Sequence, residues 1–313
     1  MNTLSLIVPC YNEEAVLPEA YRRMKTVIDA LADDWVVDII CVNDGSSDAT
    51  RRILDALAAA DARVKVLHFS RNFGHQPAVS AGIHQSRADF AVILDADLQD
   101  PPELIPTLLE VQRREQANSV YCVRRSRAGE SRFKLTGAKF FYRTLNAMSE
   151  VRFPLDTGDF RLIDRKIMDQ FNRFGERGKY IRGLISWVGF KQVPFFYERE
   201  MRFAGQTKYP FGKMLAFASR ALLYFSKKPL KMAMSLGFLA VSIGFALLIW
   251  FTLGKIYGFS HAESGWTSLI TTVIFFGGIQ LITVGVLGQY IGTLFDEIKA
   301  RPEYIVDERV NCE

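Results

Sequence analysis

At 313 residues and a formal charge of +5, the chain is long for one small domain and short for two large ones, which predicts a single catalytic-size domain with an appendage. Its 49% hydrophobic and 23% charged residues exclude a disordered chain, and the mild basicity suits an anionic membrane surface or a phosphate-bearing substrate. Nucleic-acid binding has only this net charge in its favour. The apolar residues are unevenly spread: 232–254 and 264–295 hold no charged side chain, and about 20 apolar residues in a helix cross a bilayer core. A purely soluble protein is therefore not expected.

The first 125 residues alternate short β-rich runs with helical patterns. Strands are expected at 4–8, 37–42, 64–69, 90–94 and 119–123, each mostly apolar, as strands covered on both faces of a parallel sheet are. Helices are expected at about 13–31, 49–60, 76–85 and 102–115. This β-α-β-α order predicts an open α/β fold, in which ligands sit beyond the C-terminal ends of the strands. No signal peptide precedes the first strand, so this domain is not expected to be exported by that route. Cys10, Cys41, Cys122 and Cys312 form no C-x-x-C pair and read as reduced thiols rather than a zinc or redox site.

Segments 131–150 and 211–231 mix Lys and Arg with aromatic and aliphatic residues at helical spacing, a pattern suited to the membrane interface. Spans are expected at 232–253 and 266–295. Lys213, Arg220, Lys227, Lys228 and Lys231 precede the first, and Lys255 is the lone Lys or Arg between the two. The positive-inside rule then places the N-terminal domain and the 296–313 tail in the cytoplasm. The expected division is a catalytic domain over 1–210, an interface helix over 211–231, two membrane helices within 232–295 and the tail.

Polar residues cluster just after three of the strands. Asp95 and Asp97, in the run D-A-D-L-Q-D-P-P-E, are hard oxygen ligands suited to Mg²⁺ or Mn²⁺, and Gln99 adds a neutral oxygen. In N-D-G-S-S-D, Ser46, Ser47 or Asp48 is expected to cap the next helix, whereas Asp44 lies at the strand end itself and can accept from a pyrimidine N–H or a ribose hydroxyl. In P-C-Y-N-E-E, Tyr11 offers a flat face for a base and Glu13 a second acceptor.

These three strand ends together resemble the family 2 glycosyltransferases of GT-A fold. Arg71-Asn-Phe-Gly74, Thr157-Gly-Asp-Phe-Arg-Leu162, Arg202-Phe-Ala-Gly-Gln-Thr-Lys-Tyr209 and the two apolar stretches extend the resemblance over essentially the whole chain, to the polyprenyl-phosphate glycosyltransferases and most nearly their bactoprenol glucosyltransferase branch. Gln206 departs from the Glu or Ser frequent there. The resemblance implies that Pro9, Tyr11, Glu13 and Asp44 hold the donor nucleoside. Asp95 and Asp97 would hold metal and diphosphate, with Gln99 a further ligand. Asp159 would stand at the acceptor side of the sugar, and Asp97 and Asp159 would be the catalytic pair. Arg202 and Lys208, with Arg124, Arg127 and Arg132, would face phosphate.

The expected reaction is inverting transfer of a sugar, foremost glucose, from a UDP-sugar to undecaprenyl or another polyprenyl phosphate at the cytoplasmic membrane face. A phosphate monoester with its second pKa at about 6 is largely ionised already, so Asp159 is expected to orient substrate more than to act as base. Transfer from GDP-mannose, as in dolichol-phosphate mannose synthases, or from another UDP-hexose is the nearest alternative. A non-catalytic membrane adaptor is the alternative of a different class. The G-x-G-x-x-G of dinucleotide enzymes and the Q-x-x-R-W of processive synthases are missing from the sequence. Association of copies through the helices is compatible with the resemblance.

Overall fold

The computed structural model describes residues 1–124, 157–176, 179–198, 228–257 and 265–312. These fall into two compact units, one containing 1–124, 157–198 and 301–312, the other 228–300.

In the first unit the expected strands are present, β1 (Asn2–Cys10), β2 (Trp35–Asn43) and β5 (Ser119–Arg124) longer than expected, β3 (Val64–Phe69) with the expected bounds and β4 (Phe90–Ile93) one residue shorter. Between them run α1 (Leu17–Leu31), α2 (Thr50–Ala60), α3 (His75–Gln85) and α4 (Ile105–Glu115). Pro102 opens a short 3-10 turn before α4, since proline at a helix start forfeits no hydrogen bond. Beyond them follow β6 (Thr157–Asp164), α5 (Arg165–Arg173), α6 (Ile181–Trp187), β7 (Gln192–Tyr197) and β8 (Val306–Val310). Asp164 caps α5 by accepting from the Ile167 N–H at 3.0 Å.

The eight strands form one sheet in the order β7-β5-β6-β4-β1-β2-β3-β8. The sheet is mixed rather than parallel: β6 runs antiparallel to β4 and β5, and β8 antiparallel to β3. The tail is thus part of the first unit's sheet. One face of the sheet is packed by α1, α2 and α4 through Leu6, Val8, Met24, Leu54 and Leu108. On the other face α3 meets Ile40, Val42 and Phe69. Gly82 sets that approach, because a Cβ there would stand 2.3 Å from the Ile7 Cγ2.

Among the described residues the second unit holds two long helices, α7 (Lys228–Ile256) and α8 (Trp266–Ile298), that pack on one another. Among the described residues one stretch, Phe275–Ile298, is long and apolar enough to cross a membrane, and Ala233–Ala246 is a shorter apolar helix. Apolar side chains stand outward on both, with Val241 71% and Leu281 74% exposed. Two spans are therefore not established by the helices' own length and composition.

Candidate active site at the switch point of the sheet

The strand order reverses at β1, which lies between β2 and β4. Open α/β sheets bind ligands at such a point, beyond the carboxyl ends of the strands. The three acidic runs of the sequence stand there: the Tyr11 loop after β1, Asp44 after β2 and Asp95 after β4.

The first two loops are stitched together. Asn12, at φ 54°, receives the Ser47 N–H on its Oδ1 at 2.8 Å, while its own N–H donates to Ser46 Oγ at 3.0 Å. The Glu13 N–H donates to Thr50 Oγ1 at 2.9 Å, and Glu14 accepts from the Ala49 N–H at 2.9 Å. Asp48 accepts from the Thr50 N–H at 3.0 Å, but the N-cap position of α2 is Ala49, which has no side-chain cap, so none of Ser46, Ser47 and Asp48 is the capping residue. Tyr11 remains 39% exposed at the mouth, and Pro9 is buried within β1.

Asp44 is buried, and its carboxylate accepts the N–H groups of Phe73 and Gly74 at 2.6 and 2.9 Å. Burial raises its pKa, and these bonds oppose the rise. It therefore ties β2 to the Arg71–Gly74 loop as well as standing at the strand end. Gly45, at φ 62°, is required here: a Cβ would lie 2.3 Å from the Arg71 carbonyl carbon.

The D-A-D-L-Q-D loop turns through Leu98 at φ 59°, a left-handed conformation costly for a bulky side chain and characteristic of functional loops. Asp97 is buried and accepts the Gln99 N–H at 3.1 Å. Burial pushes the Asp95 carboxyl up to about 6; the His75 charge opposes this, and the charges of Asp100, Asp159 and Asp97 add to it. Such a crowd of carboxylates fits a divalent cation, whose charge would relieve the repulsion. Among the described residues no group of three or more His, Cys, Asp or Glu side chains is placed to hold a metal ion. Two carboxylates with substrate phosphates as further ligands suit Mg²⁺ or Mn²⁺.

Strand β6 brings Asp159 to the same place. Ile93 pairs with Arg161, and continuing that antiparallel register sets Asp95 opposite Asp159. Asp159 is 5% exposed and held on two sides. Arg182 donates from Nε to Oδ1 at 2.7 Å and from an Nη to Oδ2 at 3.2 Å, and His75 Nε2 lies 2.9 Å from Oδ2. Burial would raise the Asp159 pKa, but the Arg182 charge and the His75 hydrogen bond outweigh it and hold the carboxyl well below the usual range. His75 also stands 3.8 Å from Asp95. Burial acts to lower its pKa, whereas the bond to Asp159 and the Asp95 charge raise it to about 9. The His75 ring thus stands between the Asp95 and Asp159 carboxylates.

His75, Gln76 and Arg182 were not singled out from the sequence. His75 directly follows the R-N-F-G run and could have been found there, whereas Arg182 belongs to a seven-residue helix with no motif of its own. Arg124, expected at a phosphate, points to Asp100 at 3.8 Å and donates to the Tyr197 hydroxyl at 3.3 Å, with its side chain 20% exposed. Tyr197 in turn donates to Asp100, so this group braces the acidic loop against β5 and β7. Arg127, Arg132, Arg202, Lys208 and the segments 131–150 and 211–227 lie outside the described residues, while 228–231, the end of the second amphipathic segment, open α7.

A buried acidic constellation thus stands at the switch point of a mixed α/β sheet. The model of the family described as glycosyl transferase family 2 matches residues 5–171, and the chain belongs to that family. It is 45% identical to an uncharacterized glycosyltransferase, YkcC, of Bacillus subtilis, over 99% of this chain and 94% of that one. It is 38% identical to the prophage bactoprenol glucosyl transferase homolog of Escherichia coli, over 97% of this chain and 98% of that one. The bactoprenol glucosyl transferase of Shigella phage SfII is 36% identical over 97% of each. Among solved structures, glucosyl-3-phosphoglycerate synthase from Mycobacterium tuberculosis, in a complex with Mn²⁺, UDP and phosphoglyceric acid, covers 71% of this chain and 76% of its own at 20% identity and a TM-score of 0.46.

Proposed function

We propose that this glycosyltransferase moves a hexose, glucose foremost, from a UDP-sugar to a polyprenyl phosphate of the undecaprenyl type at the cytoplasmic face of the membrane. The observation that carries the reading is the likeness to proteins named bactoprenol glucosyl transferase over 97% of the chain, helices included.

Tyr11, Glu13 and Asp44 surround the position of the nucleoside, with Pro9 fixing the strand end beneath them. Asp95, Asp97 and Gln99 would hold a Mg²⁺ or Mn²⁺ ion, which when bound supplies positive charge to the departing diphosphate. Asp159 stays ionised between Arg182 and His75 and is poorly suited to take a proton, while a lipid phosphate arrives already ionised. Its role is to orient the sugar or the acceptor for direct displacement with inversion. Arg202 and Lys208, with Arg127 and Arg132, are proposed to receive phosphate, and Arg124 acts chiefly by bracing the acidic loop.

Membrane attachment through both α7 and α8 is supported by a parity argument. β8 follows α8 in the chain yet pairs with β3 of the catalytic sheet, so the segment between β7 and β8 must leave and re-enter on the same side of a bilayer. If Phe275–Ile298 crosses, a second crossing is needed, and α7 can provide it, at 29 residues or about 44 Å of helix. The cluster at Lys227, Lys228 and Lys231 favours the cytoplasmic side for the catalytic unit.

Membranes carrying the protein, given labelled UDP-glucose, should yield an acid-labile product extractable into organic solvent. Label entering a polymer or a phosphate-free lipid would refute the acceptor. Transfer from GDP-mannose alone would replace the donor.

A further inference from the structure

The tail does more than complete the sheet. Between the end of α8 at Ile298 and the start of β8 at Val306, the chain lays Glu303, Tyr304 and Ile305 onto the elements that carry the active-site side chains. The Glu303 side chain is 9% exposed, and its Oε2 lies 3.6 Å from Lys179 Nζ, itself on a 4% exposed side chain. Ser80 of α3 donates to Glu303 Oε1 at 3.4 Å, and the Lys179 ammonium stands 5.0 Å above the Phe171 ring. Tyr304 stacks on Phe69 at 5.0 Å, and its hydroxyl lies 2.9 Å from His84 Nδ1 of α3. The Ser70 N–H, one residue before the R-N-F-G loop, donates to the Ile305 carbonyl at 3.1 Å.

The contacts to Ser80 and His84 fall on α3, that of Glu303 to Lys179 on the segment leading into α6, and those to Phe69 and Ser70 on the strand end and loop that reach Asp44. α3 carries His75 and Gln76 at its other end, and Gln76 Oε1 accepts the Ile181 N–H at 2.9 Å, fixing the start of α6. Lys179 is three residues before Arg182. A buried ion pair is a weak source of net stability but a specific register device, because either partner left alone is a costly buried charge. With water excluded, the Glu303–Lys179 pair can set where the Arg182 guanidinium lies against Asp159.

We propose that Glu303 is a positioning residue: paired with Lys179, it fixes α3 and α6 so that His75 and Arg182 hold Asp159, and so makes turnover depend on the seating of the segment that leaves α8. This rests on the transferase reading above, and it is not needed for folding or for donor binding.

The test uses full-length protein in detergent or membranes, with Glu303→Gln, Lys179→Met and the exchanged pair Glu303→Lys/Lys179→Glu. Three quantities are read: melting temperature, affinity for UDP with Mn²⁺, and turnover with UDP-glucose and polyprenyl phosphate. Hydrogen exchange over 179–187 is followed as a measure independent of activity. A misplacement of a positioning group by ~1 Å can cost about a hundredfold in rate, so Glu303→Gln and Lys179→Met should each slow turnover roughly tenfold or more. UDP affinity should stay within about twofold of wild type, exchange at Ile181 and Arg182 should quicken, and the exchanged pair should recover part of the rate. Unchanged turnover and exchange in both single variants would overturn the proposal. So would parallel loss of melting temperature, UDP affinity and turnover in both, which would make the pair a fold support only. Failure of the transferase reading is told apart by the wild type: no transfer by wild-type protein refutes that reading, whereas the exchange data still decide the coupling.

Discussion

Arg182 grips Asp159 with two donors, Nε on Oδ1 at 2.7 Å and an Nη on Oδ2 at 3.2 Å. A two-pronged guanidinium–carboxylate contact fixes orientation as well as charge, which a lysine cannot reproduce. Arg182→Lys should therefore keep the charge but loosen the carboxylate. We expect turnover to fall by roughly tenfold to a hundredfold with little change in the KM for the nucleotide sugar. Steady-state kinetics in both substrates checks this, and a change confined to KM would contradict it.

Asp97 is buried on the acidic loop after β4. Removing a cation ligand there forfeits several kcal/mol of leaving-group stabilisation, so Asp97→Asn should lose nearly all activity while its melting temperature remains close to wild type. Turnover that persists in excess chelator would show that no divalent cation is involved.

The Asp95 carboxyl, raised to about 6 by burial and its acidic neighbours, must be ionised to bind a cation. A raised carboxyl holds its proton above the ordinary range, so the proton must leave when the metal arrives. Affinity for Mn²⁺ should fall as the pH drops through 6, with protons released on binding in that range. Calorimetric titration at pH 5 and pH 7.5 in buffers of different ionisation enthalpy measures both effects. Equal affinity at the two pH values would refute the assignment.

Gly45→Ala adds a methyl 2.3 Å from backbone at a φ of 62°. A left-handed backbone for a residue with a Cβ costs on the order of 1 to 2 kcal/mol before the clash is counted, and the Arg71–Gly74 loop must also move. Urea unfolding should show a loss of at least that size together with weaker donor binding. A stability equal to wild type would mean that the loop has slack.

The proposed pair of crossings would place the junction of α7 and α8 outside and the N-terminus inside. In a Cys312→Ser background, a cysteine at Tyr257 should react with an impermeant reagent added to intact cells, and one at Asn2 should not. The reverse pattern refutes this topology.

The parallel half of the sheet was legible because β1 to β5 are apolar runs separated by helical periods, and their polar ends carry the acidic residues. Asp159 could be named only through the resemblance. Its place opposite Asp95 depends on the antiparallel register of β4 and β6, and no local pattern encodes a register between strands more than sixty residues apart. β8 escaped for another reason: Val306-Asp-Glu-Arg-Val310 is a charged edge strand, whose outward side chains resemble a solvated tail. Arg51 meets two of them, Asp307 at 3.1 Å and Glu308 at 2.5 Å, a pairing that only the folded sheet creates. His75 and Arg182 sit on helices from different parts of the chain and meet only at Asp159.

The pairing of β3 with β8 also sets an order of events during synthesis. A ribosome that has just made Phe69 must add well over two hundred residues, both long helices among them, before Val306 emerges. At about 5–20 residues per second the edge of β3 stays open on the nascent chain for some tens of seconds. An open strand edge of that duration invites pairing with other chains. The sheet of the first unit is finished only after both long helices have been made, which ties its completion to the synthesis of the helical unit.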